Sequence, residues 1–350
     1  MAIPELLERL LVAPGPSGYE NAAAAVWREA ASAFADVTAD VMGSSFARVP
    51  GRSGRPVLAI VGHIDEIGIV VTHVEDSGVL AVRGLGGFDP SMLLGHRVQL
   101  LTREGPVVGV IGRRWRSLEE RRDRKRVEIA DLRVDIGAHD ADDARALVAV
   151  GDPGVVAATP LELRGGRLAA RALDNRLGAY IALEAARLVA EAGDAPGDVV
   201  AVASVQEELE LHGARAAAFS VDPDLAIVVD VTTATDSPGG DPTEAGKVEL
   251  GAGPVLTRGS TLSPAVYELL RETAEAEGIA TSVEVTTRET MTDADVVHFS
   301  RGGVATGLVS VPLRYLHTPA ETAQLSDVTE AASLIAAFAR RLQPDTSFER

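Results

Sequence analysis

The sequence contains no cysteine. That excludes disulfides, thiol nucleophiles and cysteine-held metal sites together, and it fits a reducing, cytoplasmic setting. No apolar run reaches the roughly 18 residues that a membrane-spanning helix needs. The first residues, MAIPELLERLLVAPGPSGYE, carry acidic side chains inside their first apolar stretch and have no basic start. They read as an amphipathic helix, not a signal peptide. Positive charge is also scarce: 33 Lys and Arg stand against 51 Asp and Glu, a net charge of -18. An acidic surface argues against nucleic acid and anionic membrane as partners. Residues 113–126, RRWRSLEERRDRKR, break that trend. With one aromatic, Trp115, the segment reads as a solvated loop or a subunit contact, because nucleic-acid binding needs a wider basic field.

What is present is ordinary globular composition, 46% hydrophobic and 24% charged. Residues 56–62 (PVLAIVG), 199–205 (VVAVASV), 225–231 (LAIVVDV) and 305–311 (ATGLVSV) are near-continuous apolar runs. Such runs suit strands buried on both faces. Amphipathic stretches at 176–192 and 264–277 predict helices between them. Strands alternating with helices imply an α/β domain with a mixed, largely parallel sheet. Residues 68–165 differ. Short strand candidates at 69–74, 79–82, 97–101, 107–111 and 161–163 are divided by glycines, with one helical stretch at 139–150. This predicts a small β-barrel-like domain (68–165) inserted into an α/β domain made of 1–67 plus 166–350. No internal repeat is apparent.

The ends of the apolar runs carry the candidate chemistry. The first ends in His63-Ile64-Asp65-Glu66, the second in Gln206-Glu207-Glu208, and the third carries Asp230. The last leads through Arg314 and Tyr315 to His317, and Asp174 opens the helix after the insert. Open α/β sheets bind ligands at the carboxyl ends of their strands. Two imidazoles with several carboxylates suit zinc, cobalt or manganese better than a soft metal. Each element alone is weak evidence: twin glutamates commonly open a solvated helix, and a lone aspartate is often a cap. The weight lies in the set. His73, His96, His139, His212 and His298 read as surface or turn residues.

The chain resembles the glutamyl/tetrahedral aminopeptidase family over nearly its full length. The resemblance rests on five ordered motifs: VGHIDEIG (61–68), ALDNRLGAY (172–180), SVQEELELHGA (204–214), VVDVT (228–232) and VPLRYLHTPAE (311–321). It implies a metal-dependent hydrolase that removes N-terminal residues from peptides. Two divalent ions are implied per subunit, zinc or cobalt before manganese. His63 and Asp230 would hold one ion, Asp174 would bridge both, and Glu208 with His317 would complete the second. Glu207 would be the general base, with Asp65 orienting His63. The insert resembles the family's dimerisation domain, which implies self-association as a dimer or a tetrahedral dodecamer. Glu210 stands where the family commonly has glycine, and neither this nor any other departure touches an implied ligand. A second enzyme reading keeps the metals and takes N-blocked substrates. A non-catalytic assembly protein would require a lost ligand, and all six positions are filled.

Overall fold

The computed structural model describes residues 2–114, 126–343 and 346–348; most of the basic segment, Trp115 included, lies outside them. The chain opens with α1 (Glu5–Val12), α2 (Asn21–Ala31), β1 (Asp36–Ala39), β2 (Ser45–Val49) and β3 (Leu58–His63). Next come β4 (Gly68–Val74), β5 (Leu80–Leu85), β6 (Arg97–Thr102), β7 (Gly105–Arg113), β8 (Leu132–Asp135), α3 (Ala141–Leu147) and β9 (Pro153–Val156). Then follow β10 (Leu161–Leu163), β11 (Arg167–Ala170), α4 (Leu173–Ala192), β12 (Val199–Ser204), α5 (His212–Val221) and β13 (Leu225–Thr233). The chain continues through α6 (Pro242–Ala245), β14 (Val255–Gly259), α7 (Pro264–Glu277), β15 (Ser282–Thr286) and α8 (Ala294–Val297). It ends with β16 (Ala305–Arg314), β17 (Glu321–Gln324) and α9 (Leu325–Arg341).

Among the described residues, 11 strands form one mixed sheet in the order β1-β2-β12-β3-β13-β16-β17-β11-β10, with β14 and β15 beside β16. The four apolar runs are its parallel centre: β12, β3, β13 and β16 pair in parallel. Their continuous hydrophobicity has a simple cause, because both faces are covered. Leu58 and Ile60 enter the core on one face, and Ala59 and Val61 enter the core on the other.

Helix α4 lies across this centre, and two glycines let it come close. A Cβ on Gly62 would meet the Gly178 carbonyl carbon at 2.3 Å, and one on Gly178 would meet the Val229 carbonyl oxygen at 2.5 Å. Backbone therefore packs on backbone, just behind His63 and Asp174. Trp27 adds a bond from its Nε1–H to the Ala179 carbonyl at 2.9 Å.

Strands β4-β5-β8-β7-β6-β9 close a separate barrel around Val71, Leu80, Val98, Leu100, Leu132 and Val134. Two details differ from the sequence expectation. Strands β8 and β9 were not anticipated; each is four residues long, too short to show a period. Residues 161–163, expected in the insert, are β10, which pairs with β11 in the large sheet. The chain thus rejoins that sheet before Gly165. An apolar alternation marks a strand but does not say which sheet receives it.

Candidate active site

The carboxyl ends of β3, β12 and β13 converge, as the parallel order requires. His63 ends β3 and lies in register with Ser204, the last residue of β12. Asp230 sits near the end of β13. Asp174 lies in the first turn of α4, where its torsions and those of Asn175 are not helical. His317 follows β16 with a left-handed φ of 57°.

Asp174 stands between the two imidazoles, one oxygen toward each. His63 Nε2 is 3.1 Å from its Oδ1, and His317 Nε2 is 3.1 Å from its Oδ2. Glu208 Oε1 is 3.4 Å from His317 Nε2. Glu207 Oε2 is 3.7 Å from His63 Nε2. Two groups have potential donor atoms within 4.8 Å of one another: His63, Asp174 and Asp230, and Asp174, Glu208 and His317. Asp174 belongs to both. Glu207 belongs to neither.

Asp65 is fully buried. Its Oδ1 lies 3.3 Å from His63 Nδ1, on the side of the ring away from Asp174. The same carboxylate accepts the Ser17 hydroxyl at 2.5 Å and the backbone N–H groups of Glu207 and Glu208 at 3.1 and 3.2 Å. The loop it holds is strained, with Gln206, Glu210 and Leu211 at positive φ. Glu210 has a φ of 76°, a conformation that glycine adopts freely and glutamate adopts at a cost of about 1–3 kcal/mol.

Electrostatics mark this as a place for cations. Burial pushes Glu207 up to about 10, against the pull of His63, and Asp230, Asp293 and Glu208 add to the rise. Burial likewise raises Asp230 and Glu208. The hydrogen bonds to Asp174 and Glu208 lift His317 to about 11. Burial opposes charge on Asp174, yet its bonds to His317 and His63 hold it well below the usual carboxylate range. Several carboxyls crowd two imidazoles in a buried space. The donor chemistry fits divalent cations, whose charge would offset what the carboxyls lack.

Sequence reasoning did not single out three buried carboxylates. Glu66 takes the Arg176 guanidinium at 3.1 Å and the Arg171 guanidinium, and it accepts the Gly15 N–H at 3.0 Å. Glu20 accepts the Gly18 and Gln206 N–H groups at 2.6 and 3.1 Å. Glu321 accepts the Asp174 and His317 N–H groups at 3.1 and 3.0 Å. Glu66 and Glu321 lie inside the motifs VGHIDEIG and VPLRYLHTPAE, and Glu20 is far in sequence from every motif. Asp293 is buried and accepts the Ser204 hydroxyl at 2.5 Å. Arg314 pairs with Asp236, bracing the segment ahead of His317. A cleft runs from Asp174, Glu208 and His317 to apolar barrel side chains that include Phe88, Met92, Leu93 and Ile111.

Comparison with known proteins identifies the family. The family model for M42 glutamyl aminopeptidase matches residues 43–334. A lysyl aminopeptidase of Pyrococcus furiosus is 34% identical, over 97% of this chain and 97% of that protein. The crystal structure of a TET aminopeptidase from a marine sediment Thaumarchaeota archaeon superimposes with a TM-score of 0.90 at 33% identity, covering 97% of this chain and 96% of that one. The Pyrococcus horikoshii TET1 peptidase, which can assemble into a tetrahedron or a large octahedral shell, gives a TM-score of 0.85 at 31% identity, covering 97% and 99%. The chain belongs to the M42 glutamyl aminopeptidase family and is an aminopeptidase.

Proposed function

We propose that the protein removes N-terminal residues from peptides by two-metal hydrolysis with Glu207 as general base. The observation that carries this is the shared position of Asp174, with one oxygen toward His63 and the other toward His317. His63 and Asp230 would hold one cation, Glu208 and His317 the other, and Asp174 both; zinc or cobalt suits this donor set before manganese. Two divalent cations held there would supply Lewis acidity toward water and the scissile carbonyl. Glu207 lies beside His63 and within neither group; with cations bound, whose charge would offset the rise that burial imposes on it, its carboxylate would take the proton of the attacking water and return it to the leaving amine. Asp65 holds the His63 tautomer and the backbone of Glu207 and Glu208 at once. The apolar cleft beside His317 is where substrate would enter.

The barrel (within 68–165) is proposed as the self-association domain, giving a dimer or a tetrahedral dodecamer. The assembly of the Pyrococcus horikoshii relative into a tetrahedron or an octahedral shell supports self-association, and the barrel's part in it is our proposal. No described helix is long and apolar enough to cross a membrane. The absence of cysteine is consistent with a cytoplasmic setting.

The test is hydrolysis of a panel of amino-acid p-nitroanilides by chelator-stripped protein, before and after adding zinc, cobalt or manganese. Metal-dependent release is expected. In Glu207→Gln, kcat should fall on the order of 10²- to 10⁴-fold with bound metal unchanged. Near-normal turnover in that variant removes Glu207 as the base.

A further inference from the structure

The two halves of the site are not held in the same way, and Glu321 is where they differ. This residue opens β17 and is 2% exposed. It lies at a junction. Strand β17 pairs with β11, which leads directly to Asp174, and with β16, which leads to His317. Each oxygen of its carboxylate serves a different one of these segments. Oε2 accepts the Asp174 N–H at 3.1 Å, and Oε1 accepts the His317 N–H at 3.0 Å.

His317 needs such a hold. Its φ of 57° is a backbone conformation that residues with a Cβ seldom take unless their surroundings fix it. Asp174 also leaves helical torsions, so its N–H lies outside the repeating pattern of α4. His63 and Asp230 need no comparable device, because each is carried inside a central strand.

We infer that Glu321 is a positioning residue for the Asp174–Glu208–His317 group, fixing the backbone of two of its three members. The inference rests on the two-metal reading and deepens it. The chemistry demands a carboxylate. Both partners are N–H donors, and the two carboxyl oxygens of Glu321 present an acceptor to each. Glutamine would turn its NH₂ against one of them, losing that bond and setting donor against donor in a buried place.

The test is to titrate cobalt into chelator-stripped wild type and Glu321→Gln, following the cobalt absorption spectrum and the bound equivalents. Wild type should bind two ions per subunit. Glu321→Gln should bind the ion of the Glu208–His317 half about 10- to 100-fold more weakly, the usual effect of losing an outer partner of a metal site, and the other ion, which shares only Asp174 with it, should be weakened distinctly less. A merely structural role would lower thermal stability without splitting the two equivalents. Two ions bound with wild-type affinity, or both weakened equally in a folded variant, overturns the inference. Should Glu321→Gln fail to fold, Glu321→Asp decides by the same criterion, since the shorter carboxylate cannot reach both N–H groups. If wild type binds fewer than two ions, the two-metal reading itself fails.

Discussion

The two donor groups share Asp174 and differ in almost everything else. The His63 side chain is 2% exposed and the His317 side chain 34%. His63 and Asp230 are set by parallel strands whose register is fixed by burial on both faces. Glu208 sits in a single 3-10 turn, Glu207–Leu209, and His317 in the turn after β16, both lining a cleft and held by the buried carboxylates of Asp65 and Glu321. One half is placed by packing and the other by hydrogen bonds. Packing tolerates little displacement, whereas a loop held by a few bonds can be loosened by one substitution.

That contrast can be broken at its shared point. Asp174→Ala should abolish both halves: bound metal falls toward zero, and hydrolysis drops roughly 10³-fold or more, the several kcal/mol that metal charge stabilisation supplies. Retention of either ion would show that the halves do not depend on a common member. A chelator titration sharpens the contrast. One equivalent should leave the cobalt-loaded protein about 10- to 100-fold more readily than the other, and His317→Ala should lack the more readily lost one. Simultaneous loss of both would mean that exposure does not distinguish them. The smallest effect is expected at Glu20, which holds the Gln206 N–H of the loop that serves both halves. Glu20→Ala should lower kcat roughly 10-fold with KM little changed, as a modest misplacement of Glu207 would. Glu20→Gln should be nearly silent, because a single oxygen, Oε1, accepts both N–H groups and an amide oxygen does the same.

The sequence showed much of the fold because its centre is apolar on both faces. Residues 225–231 and 305–311 could be little else, and 264–277 matches α7, with Ser263 capping its start. Strand β15 alternates polar and apolar residues but leaves Val283 and Val285 exposed, so no burial signal marks it. The candidate site residues were visible because imidazoles and carboxylates stand out at the ends of apolar runs. Glu20, Glu66 and Glu321 do not stand out. In a chain with 51 acidic residues, a glutamate in sequence is presumed solvated until the fold buries it.

Composition and local pattern alone determined the α/β class, the β-rich insert and the candidate metal-binding residue types, since these follow from side-chain chemistry and periodicity. The tertiary structure decided which sheet receives β10, that Asp174 faces both imidazoles, and that Glu321 bridges two segments distant in the chain. Those are facts of pairing and burial between remote parts of the chain, and a local pattern holds no record of which remote segment will supply its partner.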